Sequence, residues 1–400
     1  MDHKQIINII QANSTLSYPE LEKQALEAGL SEKEIRDAWN VVQRTFRNHD
    51  KQVAEIMREV SSAYSGKSSM EVKNSLSKKD YENDEVDLGY ALSRIKQNKK
   101  FSLKDFISSL FTALSIGTFL FLILIGLFSL EAKFRPFLLI LVFLVTAFVF
   151  CIEIIGRWRK TVIKKVISID FDATPLNEHQ VISIQNYWHQ NGGVLIKRGE
   201  QQQFDLYKTI YDKRETYFGN FTYIIGDGKE GQALTHLLVA QKINRSFPPV
   251  QCYKVTSGMT DHPFAARTIF SKEHVTLEGM TFNKIYNLMA TDRGVDATYV
   301  FNPRLMSLFL KPENVGNILF CETAGDFILT GFRPLNTTGK WWRLTGPLLK
   351  YQEYVTIKSH LLKCLDITSD AADILQHEIV DKGNKRSIAK EGFEELKNRQ

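Results

Sequence analysis

The sequence predicts a membrane protein: a small N-terminal α-helical unit, a two-helix transmembrane hairpin, and a C-terminal α+β domain with a largely antiparallel sheet. Three observations carry this. Residues 106–130, "FISSLFTALSIGTFLFLILIGLFSL", hold no charge, and residues 136–156, "PFLLILVFLVTAFVFCIEIIG", hold only Glu153. Two capped helix starts stand one after the other near the N-terminus. Beyond residue 166, apolar runs bounded by turn residues mix with unevenly spaced amphipathic stretches, without a regular βαβ alternation.

The N-terminal unit covers residues 1–64. "LSYPEL" and "LSEKEI" place Ser17 and Ser31 as N-caps, with Glu20 and Glu34 three residues on. Each hydroxyl can accept from the backbone N–H three residues later while the glutamate reaches back, a capping box. Gly29 stops the first of these helices. With Ile6, Ile7 and Ile10 ahead, the spacing predicts three helices over about residues 2–45, the last able to run on through "VAEIMREV". Met1 to Thr45 hold five basic and seven acidic residues. A net negative module binds phosphate poorly, so nucleic acid is not an expected partner. Residues 65–84, "SGKSSMEVKNSLSKKDYEND", are polar and read as a flexible linker. Residues 85–105 form a basic juxtamembrane segment with Lys99, Lys100 and Lys104.

The two apolar runs, 106–130 and 136–156, each reach the ~20 residues a helix needs to cross a hydrocarbon core. The link "EAKFR" is short, so the runs form a hairpin. Basic residues flank the outer ends: Lys99, Lys100 and Lys104 before, Arg157, Arg159 and Lys160 after. The positive-inside rule then places both termini in the cytoplasm of a multi-pass plasma-membrane protein, a bacterial cell inner membrane by expectation, with lipid headgroups beside those cations. Ser109, Ala113 and Gly117 recur every four residues, a small-residue face suited to close helix packing. Its partner is either the second run of the same chain or a second copy, giving a homo-oligomer.

Residues 166–380 hold the α+β domain and 381–400 a polar tail. "VISIDF" reads as a strand with Asp170 and Asp172 on one face. Asn177 and Gln180 cap a helix that Gly192 and Gly193 stop. "GVLIKRG" reads as a strand. Asn302 and Pro303 open another helix. "NILFCETAGDFILTGF" is two apolar runs around a turn, and "GPLLKYQEYVTIKSHLLKCL" a long amphipathic helix begun by Pro347.

"YIIGDGKEG" has the G-x-G-x-x-G spacing of a dinucleotide fingerprint. That fingerprint needs a following helix and an acidic residue about 20 positions on. None lies between Glu230 and Asp261, and Lys229 is followed by Glu230 rather than the Ser or Thr of a P-loop. A hairpin of "GNFTYIIG" and "LTHLLVAQKI" around the glycines accounts for the same residues. No cofactor is expected.

Other chemistry is sparse. Cys151, Cys252, Cys321 and Cys364 form no C-x-x-C pair, which fits a reducing compartment. "HEIVD", His377 to Asp381, lacks a second zincin histidine, and His189, His236 and His274 stand singly. No catalytic or metal-ligating set is expected. Trp341 and Trp342, between Lys340 and Arg343, suit a membrane interface, or one packs in the core.

"FTYIIGDGK", "THLLVAQKI" and a following proline resemble a stretch of bacterial membrane proteins. "HVTLEGMTFNKIYNLMATDRGVDATYVFNPRLMSLFL" is similar to the core of domain-of-unknown-function family 3137. The resemblance covers about 150 residues and implies two spans ahead of a cytoplasmic domain, with no activity or catalytic residue to carry over. The expected function is a membrane-anchored interaction or scaffold protein that recruits other proteins. The alternatives are a membrane-proximal enzyme, or an accessory subunit of an oligomeric pore lined by Glu153.

Overall fold

Two units make up the chain: Met1–Asp170 with Asn336–Ser359, and Phe171–Leu335 with His360–Gln400. The structure, a computed structural model, describes residues 22–23, 25–26, 30–64, 67–76, 79, 81–97, 115, 118, 135–193, 203–225, 232–254, 273–277, 280–290, 295–333 and 349–397.

In the first unit, α1 (Glu32–Ala63) starts at the expected capping box: the Glu34 N–H donates to Ser31 Oγ, and the Ser31 N–H donates to Glu34 Oε2 at 3.0 Å. It runs on through "VAEIMREV", as the spacing allowed. Ile35, Ala38 and Val42 near its start and Val53, Ile56 and Val60 near its end are buried, at the three- and four-residue steps of a helix face. The first set packs with Ala25, Leu30, Trp39 and Phe46. Ile56 and Val60 pack with Val72, Leu76, Val86 and Tyr90. The two helices expected before α1 lie largely outside the described residues.

Val72 and Leu76 belong to α2 (Ser69–Leu76), which stands where a flexible linker was expected. A capping box starts it too, with the Ser68 N–H donating to Glu71 Oε2 at 3.0 Å and the Glu71 N–H to Ser68 Oγ at 3.3 Å. Two buried apolar residues a turn apart offset the ordering of a short polar helix, which composition averaged over the segment conceals. α3 (Asn83–Gln97) packs on α1, and a Cβ at Gly89 would sit 2.5 Å from Ile56 Cγ2, so the contact needs a glycine. Val86, Leu88, Ala91 and Ile95 are buried, so the expected juxtamembrane segment is a core helix as far as Gln97. Lys99, Lys100 and Lys104 lie outside the described residues.

The membrane expectation is overturned. Among the described residues, no helix is long and apolar enough to cross a membrane. The transmembrane hairpin, the multi-pass plasma-membrane localisation with cytoplasmic termini, and the inner-membrane class built on them are corrected accordingly. Apart from Ser115 and Thr118, run 106–130 lies outside the described residues, and with it Ser109, Ala113 and Gly117. Run 136–156 is the start of α4 (Arg135–Asp170), a helix of 36 residues. Past the apolar run α4 becomes amphipathic: Val162, Ile163 and Val166 are buried while Lys160, Lys164 and Lys165 are exposed. It packs against α3. A count of consecutive apolar residues does not see this continuation, so the run did not delimit an element. "VISIDF" is consequently no strand: Asp170 closes the helix and Asp172 sits in a turn at φ 45°.

The second unit is built on one eight-stranded sheet, antiparallel in every pairing, which is the α+β part of the expected class. Its strands are β1 (Thr174–Pro175), β2 (Gln203–Tyr211), β3 (Arg214–Ile225), β4 (Gln232–Phe247), β5 (Val250–Lys254), β6 (Glu273–Val275), β7 (Tyr286–Ala290) and β8 (Ile318–Phe332). Their spatial order is β1-β2-β3-β4-β8-β5-β7-β6. β3 and β4 form the hairpin expected around the glycines, with Tyr223 opposite Leu234. A strand, not the helix of a dinucleotide fold, follows them.

β8 carries the second expected hairpin inside one element. At Gly325, φ is +63°, and the strand turns back. Its first half pairs with β5 and its second with β4, while Gly331 comes against the Phe320 ring. α5 (Glu178–Gln190) has the expected Asn177 and Gln180 capping box. It lays Trp188 edge-on to Tyr217 and Phe327, centroids 6.1 and 6.0 Å apart, into a core with Leu206, Phe221, Leu238 and Leu329. Beyond it, α6 (Met280–Ile285), α7 (Val295–Val300), α8 (Pro303–Leu310) and α9 (Pro312–Val315) bury Phe282, Phe301 and Phe309 around Tyr286. α8 starts at Asn302, as expected. α10 (Tyr351–Lys397) begins later than the expected Pro347, which lies outside the described residues with Trp341, Trp342 and most of "GVLIKRG".

Candidate functional site

A cluster of charged and titratable groups lies in the first unit, where three helices meet the start of α10. Asp84 and Asp87 are three residues apart on α3, so they share a face. Tyr354 and Lys358 are four apart on α10. Asp170 ends α4, and Lys73 comes from α2. The Lys358 ammonium donates to Asp84 Oδ1 and Asp87 Oδ2, each at 2.8 Å, and stands 3.5 Å from Asp170 Oδ2. Tyr354 Oη donates to Asp170 Oδ2 at 2.9 Å, and Lys73 pairs with Asp87 at 2.5 Å.

A second layer adjoins it. His49 Nδ1 lies 2.7 Å from Oε1 of the buried Glu85, and its ring stacks on Tyr351 with centroids 4.5 Å apart. Tyr351 Oη donates to Glu82 at 2.7 Å, and its backbone N–H donates to Asp50 at 2.9 Å.

The two central carboxyls are driven apart. Burial alone would raise Asp87, but hydrogen bonds from Lys358 and Lys73 outweigh it and hold Asp87 below the usual carboxylate range. Burial raises Asp170, the Lys358 charge opposes this, and the negative Asp87 adds to it; the net direction is up. Burial would lower Lys358, yet the hydrogen bonds to Asp84 and Asp87 raise it, so it stays charged. Tyr354 is raised by burial and then by the Asp170 charge.

Carboxyls with opposed shifts are the usual signature of acid–base pairs. Here both face Lys358, and Asp170 is held by Tyr354 as well. What the arrangement does chemically is fasten helices to one another. Among the described residues, no group of three or more His, Cys, Asp or Glu is arranged to hold a metal ion.

Sequence reasoning singled out Asp170 but placed it on a strand beside Asp172, and it missed Asp84, Asp87, Tyr354 and Lys358. The i,i+3 and i,i+4 spacings were readable. Their meeting was not, because Lys358 and Asp84 are 274 residues apart. The other anticipated residues disperse. Arg159 pairs with Glu353 at 3.0 Å and Lys160 is exposed, while the side chains of Arg157 and Glu153 lie outside the described set. His377 and Asp381 fall on α10, their side chains likewise outside it. His189 lies on α5 and His236 is buried on β4.

A second feature is apolar. On α4, Ile140, Leu144 and Phe148 are 59%, 58% and 52% exposed, and Cys151 is exposed. Steps of four, four and three residues bring all four to one face of a straight helix, about 16 Å from end to end at 1.5 Å per residue. Large apolar side chains exposed in a row along one helix face form the kind of surface that a partner covers.

Compared with known proteins, the chain matches no family model, no curated protein and no solved structure.

Proposed function

We propose that this chain is an interaction protein, a scaffold that assembles by pairing the α4 face of one copy with that of another. The observation that carries this reading is the line of Ile140, Leu144, Phe148 and Cys151, apolar and exposed along one helix. Leaving three large aliphatic and aromatic side chains in water forgoes about 25 cal/mol for each Å² of apolar area that a partner would cover. A second copy is the favoured occupant because the line carries no charge. Charged flanking positions are the usual device for selecting an unlike partner. A patch without them complements itself, and a two-fold axis then repeats each contact. The Lys358 cluster fits the same reading, as the fastening that holds α3 to α4 and α10 in a fixed frame.

The test is the mass of the purified full chain in solution across a wide dilution series, beside Leu144→Asp. The parent is expected to be a dimer or larger, and Leu144→Asp a monomer with an unchanged circular-dichroism spectrum. Mild oxidation should join two copies through Cys151 in the parent and much less in Leu144→Asp. A parent that is monomeric throughout, or a variant that keeps the parent's mass, would overturn the reading.

A further inference from the structure

Cys252 on β5 and Cys321 on β8 are direct partners in the antiparallel ladder. Residues so opposed point to the same face, with Cα atoms about 4.5–5.5 Å apart. That falls within the roughly 4.4–6.8 Å over which a disulfide closes without moving the backbone. Each cysteine is 1% exposed and free.

Two further polar groups reach the same spot. Thr330 Oγ1 donates to Cys321 Sγ at 4.0 Å across the turned-back β8. Tyr286, on β7 beside β5 and 1% exposed, buries its hydroxyl with no hydrogen-bond partner among the described residues. In the β5–β7 register Leu288 stands opposite Cys252 and Tyr286 lies two residues away on the same strand, so Tyr286 shares the face of both cysteines. Burial, and then the charges the two thiols would carry, raises its hydroxyl. An unpartnered O–H in a dry interior costs free energy, and one on the same sheet face as two thiols can donate to a thiolate.

The geometry points to a cross-strand redox pair: Cys252 and Cys321 close to a disulfide when a small-molecule disulfide reaches them. One protein thiol loses its proton and attacks the reagent. A protein–sulfur bond forms, the reagent's S–S bond breaks, and one small thiol leaves. The second protein sulfur then attacks the first, releases the second small thiol and completes the protein S–S bond. Two protein thiols are thus oxidised and one small disulfide is reduced to two thiols. The Tyr286 hydroxyl stabilises the transient thiolate as a positioning residue.

A neutral product suits this site better than a metal-bound dithiolate. Burial pushes both thiols up, which is a cost of holding negative charge there. The closed bond would tie the first half of β8 to β5 around the chain that forms β6, β7 and α6–α9, and such a link restricts the unfolded state.

The experiment treats the native full chain with glutathione disulfide, with and without urea below the unfolding transition. Remaining thiols are then alkylated in denaturant and peptides mapped without reduction. A Cys252–Cys321 linkage, a mass lower by two hydrogens and a raised Tm are expected. Cys151→Ser and Cys364→Ser should leave the linkage unchanged, and Tyr286→Phe should slow its formation without altering the end point. Alkylation of both cysteines after exhaustive treatment would overturn the proposal. So would persistent mixed disulfides at either one, or protection by a soft metal ion without any linkage. The mapping on the parent chain stands whether or not Cys252→Ser and Cys321→Ser fold.

Discussion

At the scale of single residues, Asp170 and Asp87 show how one lysine can serve two carboxyls unequally. Asp170 is raised, so the stability it contributes is fully present below its ordinary value of 3.8 and is lost as pH rises through its folded value. Asp87 is lowered, so its contribution is present above 3.8 and is lost as pH falls through its folded value. Asp170→Asn removes the first of these dependences and keeps the second. Relative to the parent, that variant should therefore gain stability between pH 4 and pH 7 (on the order of the carboxylate's own range). Urea unfolding of both proteins at the two pH values reads this directly, and an unchanged or opposite difference would contradict the assigned shift. Gly331 makes a second point at this scale. A Cβ there would fall on the Phe320 ring, itself buried, so Gly331→Ala should cost about 1–3 kcal/mol through overpacking. Phe320→Leu in the same chain should recover part of that loss, as measured by thermal melting.

Elements were legible where local chemistry alone decides them. The capping boxes at Ser31 and Asn177, the Asn302–Pro303 start and the glycine-bounded hairpins all depend on residues within a few positions of one another, and each is where the sequence places it. Elements were misread where a tertiary partner decides them. α2 is polar on average, and its apolar anchors are Val72 and Leu76, buried with Ile56, Val60 and Tyr90 from other helices. Composition reports the mean of the segment, whereas folding responds to the two residues that meet a core. Leu76→Ala should accordingly cost about 2–5 kcal/mol, as in any well-packed core and unlike a linker position, where the effect would be negligible. Chemical denaturation of the variant decides between these. The same logic explains α4. Apolar run length was read as the whole element, yet the helix continues through the basic stretch because Val162, Ile163 and Val166 give that stretch a buried face.

For the whole molecule, the decisive feature is that neither unit is continuous in sequence. The first unit is completed by residues 336–359, so Tyr351, Tyr354 and Lys358 arrive after nearly the entire second unit has been traversed. This is why the candidate site was only half visible: spacing shows which carboxylates share a face of α3, but no local signal shows that a lysine 274 residues later stands between them. α10 supplies both units, its first turns giving Tyr354 and Lys358 to Asp170, Asp84 and Asp87. Farther along, Asp366 accepts from Tyr211 and Asp373 pairs with Arg214 in the second unit. A substitution in the first turns should then be felt along one set of contacts only. Lys358→Met keeps the length of the side chain and its apolar stem but removes the cation from Asp84, Asp87 and Asp170, while Lys73 stays paired with Asp87. Removing one partner of a half-buried ionic cluster costs about 3–5 kcal/mol in the most buried cases, because the remaining charges stay desolvated. Amide hydrogen exchange mapped along the full chain should show faster exchange in α2 and α3 and at the end of α4. The β2–β3–β4 ladder should exchange as in the parent, since its bonds to α10 are made by Asp366 and Asp373. Acceleration spread evenly over both units would mean that the lysine is not a local fastening, and unaltered exchange in α3 would mean that it fastens nothing.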